Sequence, residues 1–166
     1  MTIDSSLVSQ IPTHGVYTLI LFVSKEITVT VGCLGMQIFP RGHYTYTGSA
    51  LGKGSSNLKH RIARHLRKEK WRFWHIDYLL AYPNVSVEAV VVAETNEKME
   101  CNINSYIKQM HGVEVPVSGF GASDCSKNCG SHLLYSPEVK KADVLVHELV
   151  EHLTSLTGIL SVTVLK

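Results

Sequence analysis

The chain lacks the features that would place it outside the ordinary globular domains. It has no uninterrupted run of about 18 apolar residues, the length a transmembrane helix needs. Its first fourteen residues contain neither a basic cluster nor a long apolar stretch, so we expect no signal peptide, no membrane partner and a cytoplasmic location. Charged residues make up 18% and hydrophobic residues 45%, a balance that excludes intrinsic disorder.

Cysteine is also scarce. The four cysteines are too few and too scattered for a secreted disulfide framework: Cys33, Cys101, Cys125 and Cys129. Cys125, Cys129 and His132 are nevertheless close in sequence, and thiolates and imidazole are typical zinc ligands. A fourth ligand would have to come from Cys101, His111 or Asp124. The sequence therefore predicts a candidate zinc site, with unligated thiols packing the loop as the alternative.

The net charge of +2 is small, but basic residues are concentrated in one stretch. Between Lys53 and Arg72 there are eight lysines and arginines and one acid, Glu69. Such a local positive field is typical of phosphate-binding surfaces, although a solvated helix face gives the same pattern. The candidate nucleic-acid contacts in this stretch are Lys53, Lys59, Arg64 and Lys68.

The first third of the chain is rich in β-prone residues. Gly15–Val23 and Ile27–Val31 predict two strands of one hairpin, followed by short strands at Met36–Phe39 and His43–Thr47. Gly48–Ser56 has the composition of a linker, in which Ser55 or Ser56 would cap the next helix. An antiparallel sheet is expected here.

The rest of the chain alternates helical and strand patterns. Predicted helices cover Asn57–Lys68, Trp71–Ala81, Asn96–Met110 and Glu138–Thr157. Predicted strands are Val85–Ala93, expected to be central because it is apolar on both faces, Ser131–Tyr135 and Ile159–Leu165, with an ordered loop between Val113 and Gly130. The helical spacing of Trp71, Trp74, Tyr78 and Leu79 predicts packing in the core, not stacking on bases.

Three short features occur in order: Gly15-Val16-Tyr17 opens one strand, Tyr46-Thr47-Gly48 closes another, and Arg61 follows in the basic helix. This set resembles the GIY-YIG nuclease superfamily. A closer resemblance is to an uncharacterised, mainly archaeal, DUF123-like branch of it, sometimes fused to base-excision repair glycosylases. The segments that carry it are YTYTGSALG (44–52), LKHRIARHLR (58–67), WHIDYLL (74–80), GFGASDC (119–125) and CGSHLLY (129–135).

The resemblance implies a divalent-metal-dependent nuclease that acts on DNA in repair, with Mg²⁺ or Mn²⁺ as cofactor and a repair glycosylase as partner. Tyr17 and Tyr46 would lie side by side, one of them acting as base or proton relay, and Arg61 would hold a phosphate oxygen. His65, on the same helical face as Arg61, would contact the same phosphate or relay a proton. Glu100 is the expected metal ligand, and Glu97, one turn earlier, is the alternative.

The resemblance also implies an α+β fold: a small, mainly antiparallel sheet flanked by helices, with an added C-terminal helix and strand. The expected organisation is an N-terminal tail (1–14), a GIY-YIG-like domain (15–136) and an extension of that domain (137–166). Two other functions stay open, namely a non-catalytic nucleic-acid-binding module of this fold and a zinc-organised domain without a nuclease role.

Overall fold

The computed structural model describes residues 5–166 and mixes strands with helices along the chain. The strands are β1 (Gly15–Val23), β2 (Ile27–Thr30), β3 (Met36–Phe39), β4 (Gly42–Ala50), β5 (Val85–Glu94), β6 (Leu133–Ser136) and β7 (Ser161–Leu165). The helices are α1 (Ser5–Gln10), α2 (Leu58–Leu66), α3 (His75–Leu80), α4 (Glu100–Lys108) and α5 (Ala142–Ser155).

Five of these strands form one sheet, in the order β6-β4-β1-β5-β7, and every neighbouring pair is antiparallel. Strands β2 and β3 form a separate antiparallel pair. The predicted α+β class, with a mainly antiparallel sheet and a C-terminal helix and strand, is confirmed. Within residues 5–166, every helix is too short or too polar to cross a lipid bilayer.

The predicted hairpin between the first two strands is wrong. β1 pairs with β4 and β5, whereas β2 pairs with β3. The burial patterns explain this difference: β1 is buried at nearly every position and therefore needs cover on both faces, whereas β2 buries only alternate residues. β1 takes the middle of the sheet, and β5, which was expected to be central, lies beside it in the interior.

Each face of the main sheet carries its own hydrophobic core, because successive side chains of a strand point to opposite faces. On one face, Tyr17, Leu19 and Leu21 of β1 pack with residues of α2, α3 and the small sheet. On the other face, Val16 and Ile20 pack with residues of α4 and α5. Ile11, within the predicted tail, is buried in the first core, and residues 1–4 of that tail lie outside the described part.

Several predicted boundaries change for local reasons. β4 continues to Ala50, through the first part of the expected linker. Helix α2 is capped by Asn57, whose side chain accepts the His60 N–H at 3.0 Å, and not by Ser55 or Ser56. Helices α4 and α5 each begin four residues later and end two residues earlier than predicted.

Helix α3 begins at His75, four residues later than predicted. The Asp77 carboxylate accepts the backbone N–H groups of Phe73 and Trp74 at 3.1 and 2.9 Å, which satisfies the donors at this helix start. Trp71 consequently lies outside the helix and is 92% exposed. Its predicted place in the core is wrong, whereas Leu79 is fully buried.

Candidate functional site

Two tyrosines lie on the same face of the paired strands β1 and β4. In the register of this pair, Tyr17 is opposite Gly48 and Tyr46 is opposite Leu19, so the two phenols are diagonal neighbours. A Cβ at Gly48 would lie 2.6 Å from the Tyr17 hydroxyl oxygen. The glycine of the Tyr46-Thr47-Gly48 tripeptide is therefore required by the close approach of the Tyr17 ring.

His65, on α2, contacts the first of these tyrosines. Its Nε2 lies 2.7 Å from the Tyr17 hydroxyl oxygen, and its ring is 2% exposed. Burial, assisted by the positive charge of Lys70, lowers the pKa of His65 from 6.5 to about 3, so the imidazole is neutral. Nδ1 has no hydrogen-bond partner among the described residues. Because a buried N–H without a partner costs more than a free lone pair, the favoured tautomer donates from Nε2 to Tyr17.

Arg61 lies one turn before His65 on the same helix. Its guanidinium donates from Nη1 to the Ser49 backbone oxygen at 2.6 Å and lies 5.1 Å from the centre of the Trp74 ring. The side chain is half-buried. These contacts fix the guanidinium beside the end of β4 while part of its donor set still faces the solvent.

Glu100 is the first residue of α4 and is half-buried. Its carboxylate accepts a hydrogen bond from the Ser49 hydroxyl. Ser49 thus links the guanidinium of Arg61, through its carbonyl, to the carboxylate of Glu100, through its hydroxyl. Ser49 was not predicted as a functional residue, because Gly48–Ser56 has the composition of a linker. The continuation of β4 to Ala50 places Ser49 between Arg61 and Glu100.

Tyr17, Tyr46, Arg61 and Glu100 line a single cleft of about 650 Å³. The segments that meet there are β1, the end of β4, α2, the residues that lead into α3, the start of α4 and the loop before β6. The loop contributes Gly121, Ser123, Asp124 and His132. His65 lies behind Tyr17, outside the lining, and Glu97 lies beside Gly158, also outside the lining.

Both cleft tyrosines are neutral phenols at ordinary pH. Burial raises the pKa of Tyr17 well above 10, and the neighbouring Tyr46 raises it further, while Arg61 acts in the opposite direction. Burial also raises the pKa of Tyr46, again against the effect of Arg61. The phenols are only 2% and 7% exposed. They therefore act as hydrogen-bonding groups, and either phenol can act as a base only if additional positive charge lowers its pKa.

The predicted nucleic-acid contacts are distributed unevenly. Arg64 is engaged within the protein: its guanidinium binds both carboxylate oxygens of the buried Asp77, each at 2.9 Å, and lies 4.2 Å from the centre of the Trp74 ring. It supports the wall of the cleft and does not line it. Lys53 and Lys68 are exposed, Lys59 is half-buried, and all three lie outside the lining.

A cluster of soft ligands lies immediately behind the cleft. The side chains of Cys101, Cys125, Cys129 and His132 bring one ligand atom each to within 4.8 Å of one another. The Cys125 sulfur lies 3.3 Å from each of the other two sulfurs, and Cys129 lies 3.1 Å from His132 Nε2. A tetrahedral site with metal–sulfur bonds of about 2.3 Å has sulfur–sulfur edges of about 3.8 Å. The cluster could hold a metal ion after a small expansion.

The fourth position of this cluster is Cys101. Of the other two candidates, His111 pairs with Glu138 at 2.8 Å and Asp124 lines the cleft. Burial favours a raised pKa for the Cys125 thiol, but hydrogen bonds from the Cys129 backbone and from the His132 side chain outweigh burial and lower it to about 6. A thiolate, the form that binds metal, is therefore favoured at this position.

The cleft and the cluster share two short stretches of chain. Glu100 precedes Cys101, and Asp124 precedes Cys125, so each cleft carboxylate is adjacent to a cluster cysteine. The sulfurs of Cys101 and Cys125 lie 3.3 Å apart. An ion or contact that fixes Cys101 and Cys125 therefore also fixes the positions of Glu100 and Asp124 in the cleft.

Residues 16–155 match the model of a protein family described as "Domain of unknown function DUF123". No curated protein and no solved structure matches the chain.

Proposed function

The chain belongs to the DUF123 domain family, and we propose that it is a divalent-metal-dependent phosphodiesterase that cleaves nucleic acid, with DNA as the favoured substrate. One observation carries the proposal. The two tyrosines, the arginine and the glutamate that the GIY-YIG resemblance singles out all line a single cleft, although they are spread over more than eighty residues of sequence.

The charge in the cleft fits a phosphodiester. Hydrolysis needs positive charge where the five-coordinate phosphate accumulates negative charge, together with a positioned water molecule. Arg61 is held by the Ser49 carbonyl and the Trp74 ring, so its remaining N–H groups are oriented before the substrate binds. A guanidinium matches two phosphate oxygens and keeps its charge at every relevant pH.

The carboxylates of the cleft fit a hard cation. Glu100 is oriented by the Ser49 hydroxyl, and Asp124 lines the same opening, which offers oxygen ligands of the kind that Mg²⁺ and Mn²⁺ prefer. A divalent cation bound there would neutralise phosphate charge and acidify a water molecule. We propose Glu100 and not Glu97 as the metal ligand, because Glu97 lies outside the cleft lining.

The tyrosines act on the water and the phosphate through their hydroxyl groups. The Tyr17 oxygen accepts a hydrogen bond from His65, so its own O–H proton points away from the imidazole. The Tyr17 phenol would accept a proton from water most readily as the phenolate anion. The positive charge of Arg61 favours the phenolate form of both Tyr17 and Tyr46, because it lowers the pKa of each. His65, neutral and behind Tyr17, positions that phenol and does not itself receive the proton.

Incubation with branched, nicked and single-stranded DNA in Mg²⁺ or Mn²⁺ tests the proposal. We expect cleavage by the native protein and a loss of roughly 100- to 1,000-fold in the Arg61→Ala variant, because one preorganised donor to the phosphate is removed. Arg41→Ala is the matched control, since Arg41 binds the Ser24 carbonyl outside the cleft. Cleavage by Arg61→Ala at the rate of the native protein would contradict the proposal.

A non-catalytic nucleic-acid-binding module is the second candidate, and the deep burial of both phenols favours it. Side chains that are 2% and 7% exposed have little room to exchange protons with solvent. In this case Lys53, Lys59 and Lys68 would contact the phosphates. Salt-dependent binding without product at any metal concentration would identify this function. A repair glycosylase as partner remains a prediction from the resemblance.

We also propose that zinc occupies the Cys101, Cys125, Cys129 and His132 cluster as a structural ion. Four protein ligands close the coordination sphere, which is typical of structural zinc and leaves no open position for substrate. Elemental analysis of protein purified without chelator should find one zinc per chain. The native content should fall in Cys129→Ser and stay unchanged in Cys33→Ser, because Cys33 is exposed and outside the cluster.

A further inference from the structure

The segment between α2 and α3, Arg67–Phe73, presents two aromatic rings to solvent. Trp71 is 92% exposed and Phe73 is 78% exposed. Two large aromatic side chains exposed next to each other are unfavourable in water and commonly mark a binding surface. The core does not need the rings of Trp71 and Phe73, because the neighbouring Trp74 ring already packs against it.

The segment is held in place while both rings stay largely exposed, although the Phe73 ring meets the Trp74 ring edge-on, with 6.1 Å between their centres. Two hydrogen bonds hold its backbone: Arg64 donates to the Trp71 carbonyl at 2.9 Å, and the Phe73 N–H donates to Asp77 at 3.1 Å. The Lys70 side chain is tied to the end of α2, because its Nζ donates to the His65 carbonyl at 2.5 Å. The rings are therefore presented on an ordered support, which reduces the entropy lost when a ligand binds.

The charges around the rings indicate the kind of ligand. Arg67, Lys68, Lys70 and Arg72 belong to the same seven residues, and Glu69 is the only acid among them. A groove of about 690 Å³ beside Trp71 is lined by Lys70, Arg72 and Tyr78, together with Glu69. Cations alternating with exposed aromatic rings match a strand of alternating phosphates and bases.

The segment also reaches the catalytic cleft, because Phe73 lines it. We propose that Trp71 and Phe73 stack on unpaired bases next to the bond that is cut, so that the preferred substrate is single-stranded nucleic acid or a duplex with an unpaired stretch. This inference rests on the proposed nucleic-acid function. An aromatic ring stacks only on a base whose face is free, which excludes the interior of an intact duplex.

Tryptophan fluorescence tests the proposal, since the chain has only two tryptophans, Trp71 and Trp74. The titration uses the Glu100→Gln variant without divalent metal, so that binding is measured whether or not the protein cleaves. An oligothymidine should quench the emission, and a closed circular duplex should not. Adding Trp71→Ala should remove most of this quenching and weaken oligothymidine binding by roughly 5- to 150-fold.

Three controls make the result decisive. Trp71→Phe should restore most of the affinity because it keeps an aromatic face, and Leu160→Ala, at another exposed apolar side chain, should change nothing. Phe73→Ala should weaken oligothymidine binding while leaving duplex binding unchanged. Equal losses for oligothymidine and duplex, or no loss in either aromatic variant, would overturn the stacking proposal. Intact stacking with no cleavage by the native protein would instead contradict the nuclease function alone.

Discussion

The cleft and the cysteine cluster are neighbours built on opposite principles. The cleft gathers oxygen and guanidinium groups around an open space, whereas the cluster brings three sulfurs and an imidazole within 4.8 Å of one another. Open sites of hard ligands suit a cation that meets substrate, and closed sites of soft ligands suit a cation that holds the fold. Because Glu100 and Cys101 are consecutive, we expect a change in the cluster to displace the Glu100 carboxylate of the cleft.

Loss of the cluster should have the largest effect. Cys125→Ser should destabilise the protein by about 4 kcal/mol or more when free zinc exceeds its dissociation constant about 1,000-fold, because the bound ion stabilises only the folded state. Thermal unfolding followed with and without chelator checks this. Chelator should lower the Tm of the native protein and leave that of Cys125→Ser unchanged. Equal effects of chelator on both proteins would show that the cluster holds no zinc.

Glu100→Gln should act on the cleft alone. We expect DNA cleavage to fall roughly 100- to 1,000-fold, with zinc content and Tm nearly unchanged, because the amide keeps the size of the carboxylate but loses its charge. The matched change Glu97→Gln should retain full cleavage, since Glu97 lies outside the cleft. The reverse ranking of the two variants would assign the metal to Glu97.

Acid should destabilise the protein through His65. The imidazole has a pKa of 6.5 when unfolded and about 3 when folded, so between these values only the unfolded chain binds the proton. The contribution of His65 to the free energy of unfolding is complete above pH 6.5. It is lost as the pH falls toward 3, by about 1.4 kcal/mol per pH unit. Denaturant unfolding at several pH values should therefore show a steeper loss for the native protein than for His65→Gln. Parallel curves would contradict the lowered pKa.

Ser49→Ala should have the smallest effect. The substitution removes the hydroxyl that orients Glu100 but keeps the carbonyl that binds Arg61, so we expect cleavage to fall about 5- to 15-fold, the equivalent of one hydrogen bond. Ser24→Ala, at an exposed position far from the cleft, should leave the rate unchanged. A loss as large as that of Arg61→Ala would mean that Ser49 itself contacts the substrate.

Local patterns predicted most helices and strands, and they failed where distant parts of the chain compete. The segment Ile27–Val31 was correctly predicted as a strand, but the partner of β2 is β3 and not β1. The helical spacing of Trp71 looked like that of a core residue until the hydrogen bonds to Asp77 placed the helix start at His75. Arg64 stays a predicted phosphate contact, and its two bonds to buried Asp77 are visible only in the folded chain.

Periodicity and composition were enough to indicate an α+β chain and the basic stretch, because both are recorded locally in the sequence. The grouping of Tyr17, Tyr46, Arg61 and Glu100 into one candidate set came from the resemblance to the GIY-YIG superfamily. Tertiary structure decided which groups meet: Cys101 as the fourth cluster ligand, Ser49 between Arg61 and Glu100, and Trp71 in solvent. These contacts join residues far apart in sequence. They follow from strand pairing and from the burial of two opposite faces, which no local window of sequence records.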